Sequence, residues 1–107
     1  MSYEVVLAAL ADPTRRAIVE ALRAEPQSVG ILAARLPVSR PAVSQHLRVL
    51  TDAGLVAAEA QGTRRLYRLA PGGFDALRDY LDTLWDDALA AYAAEAHRLS
   101  ERRPARD

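Results

Sequence analysis

A mainly helical fold carrying one small β-hairpin, in the order α-α-α-α-β-β-α, is what this 107-residue sequence predicts. Three observations lead there. Apolar residues recur at helical spacing in five stretches, most of them bounded by Pro, Gly, Asp or Ser. Two runs of strand character, residues 55–60 and 64–69, flank the turn Gln61-Gly62-Thr63. Immediately before them, two short helical patterns are separated by a tight break at Pro37, so a helix-turn-helix leads directly into an arginine-tipped hairpin.

In the first segment, residues 3–11, Val6, Leu7 and Leu10 fall at helical spacing. Asp12-Pro13 then reads as an N-cap followed by proline at the first helical position. The helix it opens runs to about Ala24 with Ala17, Ile18, Ala21 and Leu22 inward, and Pro26 ends it. Ser28 caps a short helix over residues 29–36, whose apolar face includes Ile31, Leu32 and Leu36. Ser39 caps the next, residues 40–53, where Pro41 is tolerated because first-turn amides have no intrahelical partner. Val43, Leu47 and Leu50 form its buried stripe, and Gly54 terminates it. Alanine is a weak strand former, so the first strand is held by Leu55 and Val56. The second alternates better, with Leu66 and Leu69 among arginines and Tyr67. After Pro71-Gly72-Gly73 a long helix over residues 74–99 carries the stripe Leu77, Leu81, Leu84, Ala88, Tyr92, Ala96 and Leu99. Residues 1–99 are expected to form a single domain with dimerisation helices, and residues 100–107, charged and containing Pro104, to fray.

Composition excludes several classes. The chain has no cysteine, which removes disulfides, thiolate metal sites and thiol chemistry together. It shows no signal-peptide pattern and no apolar run of bilayer-spanning length, so a cytoplasmic protein that makes no membrane contact is expected. No glycine-rich phosphate loop and no nucleophile–base–orienter series is present, and the chain is not expected to be an enzyme or to need a cofactor. Asp82, Asp86 and Asp87 fit the solvated face opposite the leucine stripe. His97 stands alone as a metal ligand: Asp86 or Glu95 could join it between two chains, but a second histidine is missing, and no metal site is assigned.

The net charge is zero, yet its distribution is polar along the chain. From Arg35 to Arg68, six arginines stand against Asp52 and Glu59, a net of +4. From Leu69 to Leu99, Arg78 and Arg98 stand against six carboxylates, a net of −4. One surface can face phosphate while another keeps away from it. If Val43, Leu47 and Leu50 pack inward, Arg40, Ser44, Gln45 and Arg48 lie along or beside the outward face of their helix. Arg40 and Gln45 are the preferred base readers, since arginine can bridge guanine and glutamine can pair with adenine, and Arg48 is the phosphate clamp. His46 lies at the edge of the buried stripe, where a backbone-bonded imidazole and a DNA contact are both open. The turn presents Thr63, Arg64 and Arg65 to a minor groove or its flanking phosphates. Arg15 and Arg16 sit in a first helical turn against the helix dipole, a placement that a phosphate contact would rationalise. The long last stripe exceeds what the neighbouring helices can cover, and with the apolar first segment it suggests a two-fold dimer, in which Trp85 and Tyr92 suit the interface.

The chain resembles the ArsR/SmtB family of winged helix-turn-helix transcriptional repressors over about residues 3–99. The resemblance is carried by LADPTRRAIVEAL (residues 10–22), VSRPAVSQHLRVLTDAGLV (residues 38–56) and GTRRLYRL (residues 62–69). It implies a homodimer joined through the first and last helices and bound to an imperfect palindrome. The reading helix is then residues 40–53, the wing residues 55–69, and the DNA contacts Ser39, Arg40, Ser44, Gln45 and His46 with Arg64 or Arg65. Two departures from the family matter. Metal-sensing members carry a cysteine motif in the helix matched by residues 29–36, or paired Asp/His and His/Glu ligands on the last helix; neither pattern is here. The last helix, with Trp85 near its centre, looks more like that of non-metal members, often encoded beside a small protein that binds lipids or other hydrophobes.

The expectation is therefore a winged helix-turn-helix, sequence-specific, homodimeric repressor acting on a palindromic operator without metal sensing. Its DNA-binding residues are Ser39, Arg40, Ser44, Gln45, His46, Arg48, Thr63, Arg64, Arg65 and Arg15. Its dimer interface is Val6, Leu10, Leu77, Leu81, Leu84, Trp85, Ala88 and Tyr92. Partners beyond DNA and itself are an unidentified small-molecule or protein effector. The alternative is a winged-helix module that binds an acidic protein partner.

Overall fold

The computed structural model describes residues 2–102. Its elements are α1 (Tyr3–Leu10), α2 (Pro13–Ala24), α3 (Val29–Arg35), α4 (Arg40–Asp52), β1 (Val56–Gln61), β2 (Arg64–Leu69) and α5 (Asp75–Glu101). The order is the one expected, and the chain divides into two compact units, Met1–Leu77 and Arg78–Asp107.

In the first unit, helix starts follow from side chains that satisfy orphan amides. Asp12, Ser28 and Ser39 accept hydrogen bonds from the backbone N–H groups of Thr14, Ile31 and Ala42 at 3.2, 3.3 and 3.3 Å. Ser2 does the same for α1, accepting from Val5. The end of α4 is a Schellman motif: Leu55 N–H donates to Leu50 O, Gly54 N–H donates to Thr51 O, and Gly54 sits at φ 78°. That motif brings Leu50 and Leu55 into the same core.

The core takes Val6 and Ala9 from α1, Ile18, Val19 and Leu22 from α2, Leu32 from α3, and Val43, Leu47 and Leu50 from α4; Ala53, Leu55 and Val56 complete it. Phe74 and Leu77 pack against it. Two sequence expectations change here. Ile31 is 39% exposed and Leu7 44% exposed, while Val19 and Ala9 are buried in their helices instead. Val6, expected at a dimer interface, is fully buried in its own chain's core, so it has no surface to offer a partner.

β1 and β2 pair antiparallel with Gln61 opposite Arg64, leaving Gly62-Thr63 as a two-residue turn. Gly62 at φ 65° is followed by a residue of negative φ, the combination a type II′ turn requires. The root of β2 is tied to the α2–α3 connection by a bridge that sequence patterning did not show: Gln27 and Tyr67 exchange both backbone hydrogen bonds at 2.9 Å. The Gln27 side chain is 2% exposed and donates from Nε2 to Ala21 O at 2.6 Å. The connection from β2 to α5 passes close to the end of α4, for a Cβ on Gly73 would stand 2.4 Å from Gly54 O.

The second unit is the body of α5. It continues through Ser100 and Glu101, past the expected end at Leu99, and the rest of the expected frayed tail, residues 103–107, lies outside the described residues. No α5 residue is buried in the single chain; Leu81, Leu84, Trp85, Leu89 and Tyr92 are 47–77% exposed.

Candidate nucleic-acid interface

The reading face of α4 follows from its buried one. Val43, Leu47 and Leu50 lie in the core, and at 100° per residue Ser44, Gln45 and Arg48 fall on the opposite side. All three are exposed, as are Ser39 at the N-cap and Arg40 in the first turn. A serine, a glutamine and an arginine in one outward patch supply both donors and acceptors, which is what base edges in a major groove require.

His46 does not join that patch. Its Nδ1 lies 3.8 Å from Asp12 Oδ2, and its side chain is 23% exposed, on the flank of α4 that meets the start of α2. The ring holds the edge of the buried stripe, as expected, and its neighbour there is the carboxylate that caps α2.

Arg15 is engaged within its own chain. Its Nε donates to Ala9 O at 2.6 Å and its Nη2 to Ala8 O at 3.1 Å, with Nη1 3.9 Å from Asp12 Oδ2. Arg16 Nη1 donates to Leu10 O and Ala11 O at 2.7 and 3.1 Å. The two guanidinium groups thus bond the last carbonyls of α1, of which Ala8 O also accepts from Ala11 N–H, and their positive charge suits the negative end of that helix dipole. The awkward placement at the start of α2 is explained by the end of α1. No phosphate is needed to rationalise it.

The wing carries Thr63, Arg64 and Arg65 at its tip, all exposed. Arg68, further down β2, is paired with Glu59 across the hairpin at 3.6 Å. The tip and the helix-turn-helix meet around a surface concavity of about 340 Å³, lined by Ser28, Val29, Gly30, Arg40, Thr63, Arg64, Arg65 and Tyr67. Arg40 is therefore brought to the wing arginines. Ser28, Gly30 and Tyr67 also line the concavity, and sequence reasoning had given them no part in the site. Among the described residues no three His, Cys, Asp or Glu side chains gather as a metal cluster, and His97 Nε2 lies 2.9 Å from Glu101 Oε1.

A helix-turn-helix (α3 and α4) with a polar outward face, joined to a hairpin tipped with arginine, defines a winged helix-turn-helix DNA-binding protein. A helix-turn-helix domain family model matches residues 10–58. The HTH-type transcriptional regulator Rv2034 of Mycobacterium tuberculosis is 61% identical over 85 residues, which cover 79% of each chain. The HTH-type transcriptional repressor SmtB of the same species is 49% identical over 65 residues, 61% of this chain and 48% of that one. Among solved structures, an ArsR-like transcriptional regulator from Rhodococcus sp. RHA1 superposes with a TM-score of 0.73 at 37% identity, covering 89% of this chain and 90% of the other. The chain belongs to the ArsR/SmtB family of winged helix-turn-helix transcriptional regulators, which are DNA-binding proteins and not enzymes.

Proposed function

We propose that the protein is a homodimeric repressor that occupies a palindromic operator in the cytoplasm and does so without sensing a metal ion. The observation that carries this reading is the patch Ser44, Gln45 and Arg48, exposed on α4 beside a wing that presents Thr63, Arg64 and Arg65. The patch reads base edges and backbone in one groove, while Ser39 and the wing tip hold the flanking backbone. SmtB of Mycobacterium tuberculosis is called a repressor, and that role is extended to this chain.

Dimerisation through the first and last helices is supported by what those helices leave exposed. On α1 these are Val5 and Leu7, 40 and 44% exposed, and on α5 Leu81, Leu84, Trp85 and Tyr92. Ala88 of α5 is exposed as well, while Leu10 and Leu77 are half-buried. Metal independence is supported by α3, which holds no cysteine, and by the single histidine of α5. No described helix is long and apolar enough to cross a membrane.

The test is selection of bound duplexes from a random DNA library by the full chain with a chelator present. Enrichment of a two-fold palindrome is expected. Recovery of no motif would overturn the reading in favour of a protein-binding module. Leu84→Glu is expected to place a charge in the interface and to lower operator affinity by breaking the dimer, read by sedimentation and DNA titration together. A Leu84→Glu protein that stays dimeric would remove α5 from the interface.

A further inference from the structure

Arg40 differs from the rest of the exposed α4 row in where its guanidinium lies. It falls about 60° round the helix from buried Val43, whereas Ser44, Gln45 and Arg48 lie roughly 100–160° away from it. The side chain passes over the first turn of α3, so that a Cβ on Gly30 would stand 3.4 Å from Arg40 Nη2 and 3.7 Å from its Cζ. An alanine fits there in ordinary contact, and a larger side chain would take the guanidinium's place.

The concavity that Arg40 enters also holds Thr63, Arg64 and Arg65. Three guanidinium groups line it and no carboxylate does. Among the described residues Arg15, Arg23, Arg68 and Arg98 each have a carboxylate partner, and Arg40, Arg64 and Arg65 have none. Like charges around one hollow repel until an anion enters, and the planar donor fork of arginine matches the oxygens of a phosphate.

We infer that this cleft seats one phosphate of the DNA backbone, gripped from α4 by Arg40 and from the wing by Arg64 or Arg65, and that Gly30 is the residue that leaves room for Arg40 to reach it. The assignment rests on the DNA-reading role proposed above and refines it: Arg40 holds the backbone, and base preference is left to Ser44 and Gln45. One phosphate held by both elements fixes the register of the reading helix, which is the part backbone contacts play in recognition.

The test uses the operator recovered by selection, made as duplexes carrying one uncharged methylphosphonate at each position in turn. Binding is measured for the full chain and for Arg40→Ala, Arg64→Ala/Arg65→Ala, Gly30→Ala and Gly30→Leu, with helicity checked by circular dichroism. Arg40→Ala is expected to weaken operator and random duplex by the same factor, about fivefold at 0.15 M salt, with the preferred bases unchanged. The loss caused by one and the same methylphosphonate position should then shrink both in Arg40→Ala and in the wing variant. Gly30→Leu should behave as Arg40→Ala does, and Gly30→Ala as the parent. A changed base preference in Arg40→Ala overturns the assignment, and so does a loss of sensitivity at different phosphates for Arg40 and the wing. Should Gly30→Leu fail to fold, the Arg40→Ala and wing arms decide alone. A parent protein that prefers no duplex sinks the DNA-reading role itself, an outcome distinct from either.

Discussion

Two adjacent arginine pairs in this chain have opposite fates. Arg15 and Arg16 are bonded to the carbonyls of Ala8, Ala9, Leu10 and Ala11. Arg64 and Arg65 stand exposed at the wing tip, without a carboxylate partner among the described residues. The side chains are the same, and the difference is the backbone around them. A helix end leaves several acceptors without donors, and a guanidinium with five donors answers them. At the start of β2 the backbone of Arg64 and Arg65 is laddered opposite Gln61 and Ala60. Where no local acceptor is left over, the charge stays available to another molecule. An arginine doublet is therefore a sign of nucleic acid only where the surrounding backbone is already satisfied.

Variants can break this contrast or sharpen it. The largest effect is expected from Arg64→Ala/Arg65→Ala, which should lower affinity for every duplex by about fivefold for each phosphate no longer neutralised at 0.15 M salt. The dependence of binding on salt should flatten with it, and the melting temperature should stay unchanged. A melting temperature that falls with affinity would mean the wing pair is structural too. Next comes Arg15→Ala, expected to destabilise the fold by about 2 kcal/mol, because two carbonyls are deprived of a charged donor in a half-buried place. Urea unfolding reads this directly, and the salt slope of DNA binding should be that of the parent. Smallest is Arg68→Ala, whose 3.6 Å pairing with Glu59 lies between side chains 38 and 55% exposed. Its removal should change stability by less than about 0.5 kcal/mol, a value typical of solvent-screened pairs.

The elements were legible in the sequence because their boundaries are written in single residues. Asp12, Ser28 and Ser39 each accept an orphan amide, and Gly54 and Gly62 take the positive φ that a helix stop and a tight turn need. The outward face of α4 was legible because the buried stripe Val43, Leu47 and Leu50 fixes its opposite. Interactions that rest on one residue were not. The Gln27–Tyr67 bridge has no periodicity to announce it. The destination of Arg15 depends on how α1 stops, and the carboxylate beside His46 comes from the start of another helix. The meeting of Arg40 with the wing joins segments more than twenty residues apart through a space that Gly30 leaves open. A helical wheel carries no information about any of these.

The near contact of Gly73 with the carbonyl of Gly54 has a bearing on how a mutational scan of this chain would be read. Position 73 touches neither the reading patch of α4 nor the wing tip, yet even one added methyl has nowhere to go, since its Cβ would stand 2.4 Å from the Gly54 oxygen. It should rank among the least permissive positions in such a scan. Intolerance there would map the close approach of the segment before α5 to the end of α4, and would report packing, not recognition.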